Sequence, residues 1–172
     1  VGSEMCIRDS FGCSSSIHED NRGCSFICDS IQYRVEFMSA GCVRILSYPE
    51  GDTLVTKRLV VDVEKPTFTD YKWEETEQAF VFCTHELLVS FDKSDEAFTF
   101  REASTGKLLL KEKDRRKARN FKRSEVGGEQ CLEVTQRFIP TDEEAIYGLG
   151  QYQNGIMNYR GTVSYTHLTL PT

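Results

Sequence analysis

The strongest constraint on the fold of this chain is a two-residue rhythm of apolar side chains, broken every few residues by a turn. Ile31, Tyr33, Val35 and Phe37 alternate with polar neighbours within Ser25 to Phe37, and the rhythm returns in Leu87 to Asp92 and in Ala97 to Glu102. Successive side chains of an extended strand point to opposite faces, so this period marks strands with one buried face. The punctuation agrees. Ser39-Ala40-Gly41, Pro49-Glu50-Gly51-Asp52, Lys93-Ser94-Asp95, Ser104-Thr105-Gly106 and Gly127-Gly128 are all turn-forming strings.

Other segments carry strand character without so clean an alternation. Val43 to Tyr48 makes a hairpin with the strand before it, Thr53 to Val63 is β-branched and ends ahead of Pro66, and Phe68 to Trp73, Ala79 to Cys83 and Leu108 to Leu110 follow. Cys131 to Ile139 alternates through Leu132, Val134, Gln136 and Phe138, with Glu133, Thr135 and Arg137 on the opposite face. The acidic residues Glu74, Glu75 and Glu77 read as a solvated turn, and Lys111 to Arg123 as a solvated loop or short helix. Roughly nine to eleven short strands, with no amphipathic helix and no fixed-length repeat, predict an all-β antiparallel sandwich. An alternating α/β fold or a propeller would need patterns this chain lacks.

Both ends need separate treatment. VGSEMCIRDS (1–10) and VSYTHLTLPT (163–172) look like translated adapter sequence and are read as non-native tails, which removes Cys6 and His167 from any site. Residues 11–23 read as a flexible leader, and 24–162 as one domain long enough to bury a core. The formal charge of −6 becomes −5 once the tail residues Glu4, Arg8 and Asp9 are set aside. Such mild acidity argues against nucleic acid as a partner, and no apolar run is long enough for a membrane span. FGCSSS (11–16) resembles the start of a bacterial lipoprotein, which makes Cys13 a candidate lipidation site, against an ordinary cysteine in a disordered leader. A periplasmic setting or a lipid-anchored one at a bacterial surface would suit that string, and localisation stays open.

The residues that usually carry chemistry are sparse. Cys24 and Cys28 lack the second pair or neighbouring histidine of a zinc site; four apart on one strand face, they are too distant for an easy disulfide and read as buried, reduced thiols. His85 is the sole histidine inside the domain, no Gly-x-Ser-x-Gly elbow exists, and Gly148-Leu149-Gly150 lacks the context of a dinucleotide loop. No metal and no cofactor is expected. Carboxylates are plentiful, and glycoside hydrolysis needs two of them across a sugar bond, but here they occur in solvated runs.

The most distinctive stretch is Ala145 to Gly161, AIYGLGQYQNGIMNYRG, rich in glycine, tyrosine and amide side chains and free of acidic groups. With the preceding RFIPTDEE, it resembles the end of the N-terminal β-domain of glycoside hydrolase family 31. There an acidic residue, Ile or Phe, and Tyr-Gly-Leu-Gly-Gln precede a variable loop and an Arg-Gly element. THELLVSFDKSDEAFTFREASTGKLLLKE, from Thr84 to Glu112, is similar to the strands upstream in that domain. The resemblance implies a galactose-mutarotase-like supersandwich, incomplete at its C-terminal end, in a retaining α-glucosidase or α-xylosidase.

In that family the catalytic aspartates lie on a downstream (β/α)8 barrel, the nucleophile in a Trp-x-Asp-Met-Asn-Glu-type motif. Trp73 is the only tryptophan, and Glu74-Glu75 follow it, so the resemblance implies no catalytic residue here. It implies instead that this domain supports the barrel, its own partner, and lends a loop to the wall of an oligosaccharide pocket. Carried over by position, the substrate-binding candidates are Gln151, Tyr152, Gln153, Asn154, Asn158, Tyr159 and Arg160; the plainer alternative has Tyr147 and Leu149 as core and Gln151 and Arg160 at the domain interface. A stand-alone carbohydrate-binding sandwich, using Tyr152, Tyr159 or Trp73 as a platform, is the alternative. A mutarotase is disfavoured, because proton transfer at a sugar ring wants more than one placed histidine.

Overall fold

The computed structural model describes residues 17–52, 68–114, 121–148 and 155–161. They fall into two compact units, one ending at Ile139 and one beginning at Pro140. The described part of the first holds eleven strands and no helix. A four-stranded antiparallel sheet runs β1 (His18–Asp20), β2 (Gly23–Cys28), β3 (Ile31–Ser39), β4 (Cys42–Pro49) in spatial order. A five-stranded one runs β5 (Lys72–Glu75), β6 (Ala79–Cys83), β7 (Leu87–Asp92), β8 (Ala97–Glu102), β9 (Leu108–Lys111), and β10 (Phe121–Val126) with β11 (Glu129–Val134) makes a separate ribbon. The all-β antiparallel fold expected from the sequence is what forms.

The alternation explains the packing. Phe80 and Phe82 of β6, Leu87, Val89 and Phe91 of β7, and Phe98 of β8 turn inward from the five-stranded sheet. They meet Cys24 and Phe26 of β2 and Tyr33, Val35 and Phe37 of β3 in a single buried cluster. The ring of Phe26 lies 4.6 Å from that of Phe80 and 4.8 Å from that of Phe91, and Tyr33 lies 4.8 Å from Phe91. Tilted contacts of this kind add about 0.5–1.5 kcal/mol each beyond the burial of the rings.

Polar contacts tie the sheets where the apolar layer ends. Thr84 Oγ1 donates to the Ala40 carbonyl at 2.6 Å and accepts the Leu87 amide at 2.8 Å, so the β6–β7 turn holds the β3–β4 turn. Near β1, Glu19 accepts from Tyr71 Oη at 3.1 Å and from Trp73 Nε1 at 3.0 Å. On β3, the buried Glu36 is flanked by Arg34 at 2.9 Å and Arg44 at 3.4 Å, which offset the water it loses.

Several boundaries differ from the sequence reading. The leader ends earlier than Gly23: His18–Asp20 pairs with β2, because Asp20 accepts the amides of Arg22 and Gly23 and binds Arg34 at 2.6 Å. Ser25 to Phe37 is two strands, split by a hairpin turn at Asp29 and Ser30, both at positive φ (50° and 63°). No glycine announces it. Glu74 and Glu75 belong to β5, with the turn one residue later, and Phe121 to Arg123 open β10 instead of closing a loop. Thr53 to Val63 and Pro66 lie outside the described residues.

The cysteine expectation holds in part. Cys24, Cys42, Cys83 and Cys131 are free thiols, and burial pushes Cys24 up to about 11, keeping it protonated and inert. Cys28 is disulfide-bonded and so is not the reduced thiol expected. Its bond is not to Cys24, since all four of those thiols are free.

Two glycines of the four-stranded sheet should respond differently to the same substitution. A Cβ on Gly23, which sits at φ 148°, would lie 2.1 Å from the Val35 carbonyl oxygen of the neighbouring strand. On Gly41 it would meet only the end of the Glu86 side chain, at 2.5 Å. Gly23→Ala is expected to lower stability by more than about 2 kcal/mol and Gly41→Ala by less than about 1 kcal/mol, read from urea unfolding midpoints. Asp20 gives a second test. Its hydrogen bond to Arg34 holds the carboxyl below its ordinary 3.8, against the opposing effect of burial, so its contribution is present above that value and fades as pH falls through the lower folded value. Asp20→Asn should therefore be less stable than the parent chain near pH ~6, with the gap closing by pH ~2.5.

Candidate functional site

The stretch singled out by composition lies in the second unit, where Ala145 to Gly148 and Gly155 to Gly161 are described. The two arms run side by side. The Tyr159 amide donates to the Ile146 carbonyl at 2.8 Å, and the Ile146 amide returns a bond to Asn158 Oδ1 at 3.1 Å. The same oxygen accepts the Arg160 amide at 3.0 Å, the local closure that an asparagine makes with the backbone two residues on. Gly148 and Gly155 both sit at positive φ, 79° and 69°, on either side of 149–154.

Arg160 is the organising side chain. Its Nη1 donates to the carbonyls of Thr141 at 2.6 Å, Asp142 at 2.5 Å and Glu144 at 3.0 Å, and its Nη2 lies 3.6 Å from the Asp142 carboxylate. Thr141 and Glu144 close the same turn by exchanging two bonds, Thr141 N to Glu144 Oε2 at 3.1 Å and Glu144 N to the Thr141 carbonyl at 3.2 Å. A planar cation that gathers three carbonyls of one short segment is a clamp on it.

The seven candidate sugar contacts thus divide. Gln151, Tyr152, Gln153 and Asn154 lie outside the described residues. Asn158 and Arg160 are brought together, with Asn158 Oδ1 and Arg160 Nη1 bonded to the backbone of their own unit. Tyr159 is buried and does not present an open ring face. Tyr147, read from the sequence as core, is 62% exposed, and Met157 is 79% exposed. Nothing in the spacing of Tyr-Gly-Leu-Gly separates an inward tyrosine from an outward one.

Elsewhere the groups that could do chemistry have structural partners. His85 is exposed, 3.5 Å from Glu86. The buried Glu112 accepts the Phe98 amide at 2.9 Å and Gln136 Nε2 at 2.7 Å. Trp73 packs partly into the core and donates to Glu19, so it does not offer a free platform. Among the described residues no group of three or more histidine, cysteine or acidic side chains is placed to hold a metal. No described helix is long and apolar enough to cross a membrane.

Residues 32–170 match the family described as glycosyl hydrolase 31 N-terminal galactose mutarotase-like domain. The chain belongs to that family. The match runs past Thr162, into the residues read as a non-native tail. No curated protein matches the chain. Among solved structures it is similar to a GH31 α-xylosidase from Xanthomonas citri, with 27% identity and a TM-score of 0.66, covering 84% of this chain and 16% of that one. A GH31 dextranase from Flavobacterium johnsoniae, solved with isomaltotriose, shares the fold at 17% identity and a TM-score of 0.65, over 88% of this chain and 18% of its own. A GH31 α-xylosidase from a soil metagenome, solved with xylose, does so at 21% identity and 0.59, over 86% and 24%. This family-31 domain therefore spans less than a quarter of the length of these enzymes.

The clamp can be checked directly. Asn158→Ala should speed amide exchange at Ile146 and Arg160 by about tenfold, and Arg160→Ala should do the same at Glu144, each reflecting a local loss of roughly 1.4 kcal/mol. Nuclear magnetic resonance exchange rates unchanged in both variants would show that these side chains do not order the loop.

Proposed function

We propose that this chain is the non-catalytic N-terminal part of a retaining α-glycosidase acting on α-xylosides or α-glucosides. The observation that carries the reading is its 27% identity, over 84% of its own length, to an enzyme of which it spans only 16%. The chain's own carboxylates support it. Glu36 and Glu112 are engaged by cations, an amide and a glutamine, and Trp73 lies within β5, followed by Glu74-Glu75 instead of an aspartate motif. Retaining hydrolysis needs two carboxyl groups facing each other across the anomeric carbon, roughly 5–5.5 Å apart, and this role falls to the downstream barrel.

The part left to this domain is support and shape. Asn158 and Arg160 hold the base of a loop whose Gln151, Tyr152, Gln153 and Asn154 wall the oligosaccharide pocket near the leaving-group sugar. Amides and a tyrosine suit that task, because they hydrogen-bond hydroxyls and offer a flat apolar face.

The test is the reading frame. Continued beyond Thr162 in genomic DNA, it should encode a barrel with the tryptophan-led aspartate motif, and the complete protein should release xylose or glucose from aryl α-glycosides with retained configuration. The chain alone should neither hydrolyse these compounds nor bind malto- or xyloglucan oligosaccharides tighter than roughly millimolar. A stop codon soon after Thr162, together with micromolar sugar binding, would establish the carbohydrate-binding module instead.

A further inference from the structure

The chain carries seven cysteines, at positions 6, 13, 24, 28, 42, 83 and 131. Cys28 is disulfide-bonded, whereas Cys24, Cys42, Cys83 and Cys131 are free thiols. Its partner within the chain is therefore Cys6 or Cys13, both ahead of β1 and both outside the described residues. Cys28 ends β2 fully buried, so its sulfur is out of reach of a soluble thiol while the strand is folded. The strand directions bring the two ends of such a bond toward each other. β1 and β2 are antiparallel, His18 facing Ser25 and Asp20 facing Gly23, so β2 runs on from Ser25 to Cys28 on the side from which the chain enters β1. Ile17, the residue before β1, still packs against the core cluster. Ser25 to Cys28 covers ~10 Å of strand, and the residues from His18 back to Cys13 can span up to ~17 Å, which is reach enough.

We propose that Cys13 and Cys28 form a disulfide that staples the leader to the end of β2. Two observations select Cys13 over Cys6. The string at 1–10 resembles translated adapter sequence, which takes Cys6 out of the natural protein, and the loop closed by Cys13 is the shorter one, with the smaller entropy of closure. In forming the Sγ–Sγ bond the two thiols give up two protons and two electrons. A disulfide oxidant, oxidised glutathione or an oxidised dithiol protein, takes them, and its own S–S bond becomes two thiols. The loop so closed contains all of β1, whose three residues are exposed and whose side chains reach the domain through polar contacts, Glu19 to Tyr71 and Trp73 and Asp20 to Arg34. Closing it restricts the unfolded leader and so favours the paired strand. A Cys13 sulfur held in a disulfide cannot also carry a thioether-linked lipid, so the staple excludes lipidation at that position. Bonds of this kind persist where the surroundings are oxidising.

Trypsin separates the two partners. Cleavage after Arg8, Arg22 and Arg34 leaves Cys6 in residues 1–8, Cys13 in 9–22, and Cys24 with Cys28 in 23–34. The 172-residue chain, equilibrated with reduced and oxidised glutathione, is unfolded in guanidinium with iodoacetamide so that every free thiol reacts, then digested without reductant. Mass spectrometry should find 9–22 joined to 23–34, lighter than their sum by the pair of hydrogens lost. Fragmentation should place the link at Cys28, with Cys24, Cys42, Cys83 and Cys131 alkylated in the same sample. Cys6→Ser should leave the joined species in place, and Cys13→Ser should abolish it and leave Cys28 alkylated. Recovery of 1–8 joined to 23–34, a link at Cys24, or Cys28 alkylated as fully as Cys42 in the unsubstituted chain overturns the proposal. A variant that fails to fold leaves the test intact, because the unsubstituted chain decides between 1–8 and 9–22 by itself.

Discussion

The four- and five-stranded sheets of the first unit depend on one layer of contacts, the burial of phenylalanine and tyrosine rings between them. A single antiparallel sheet with one apolar face cannot keep water from it, and a short one is marginal alone. Phe26 and Tyr33 from one sheet and Phe80, Phe91 and Phe98 from the other solve this together, each ring touching rings of the opposite sheet. The polar ties follow from that layer. Glu19 meets Tyr71 and Trp73 because Phe37 stacks on Tyr71 at 5.0 Å and fixes where its hydroxyl points. Thr84 reaches the Ala40 carbonyl because the two sheets already lie at packing distance.

The same layer explains which elements were legible in the sequence. β7 and β8 have the bounds that alternation gives, Leu87–Asp92 and Ala97–Glu102, and in β7 every second residue is buried. β1 was hidden since His-Glu-Asp has no apolar rhythm. Its place is set by charges that find partners far along the chain, Glu19 with Trp73 and Asp20 with Arg34. The Asp29-Ser30 turn was hidden for a different reason. Short polar side chains tolerate positive φ less readily than glycine, and the pairing of Cys28 with Ile31 and of Ile27 with Gln32 holds them there. Tertiary structure chose that turn.

The candidate site was legible as a place and not as a set of roles. Composition drew attention to Ala145 to Gly161, and its described arms, on either side of 149–154, are tied to one another. Amide and guanidinium groups, however, bind sugars and bind backbone with the same atoms, so composition cannot assign them. Asn158 spends its oxygen on two backbone amides, and Arg160 directs Nη1 at three carbonyls. Such a loop gains rigidity at its base, which is what a pocket wall requires if the residues at its tip are to hold a fixed geometry.

The distribution of buried charge carries the division of labour further. An acid that takes part in glycoside hydrolysis must stand open to the sugar and trade its proton during the reaction, so its partners have to leave it room. Glu36 stands between two arginines and Glu112 accepts a backbone amide, arrangements that hold a carboxylate still and keep substrate away. Glu36 joins β3 to β4 through Arg44, and Glu112 joins β8 to Gln136.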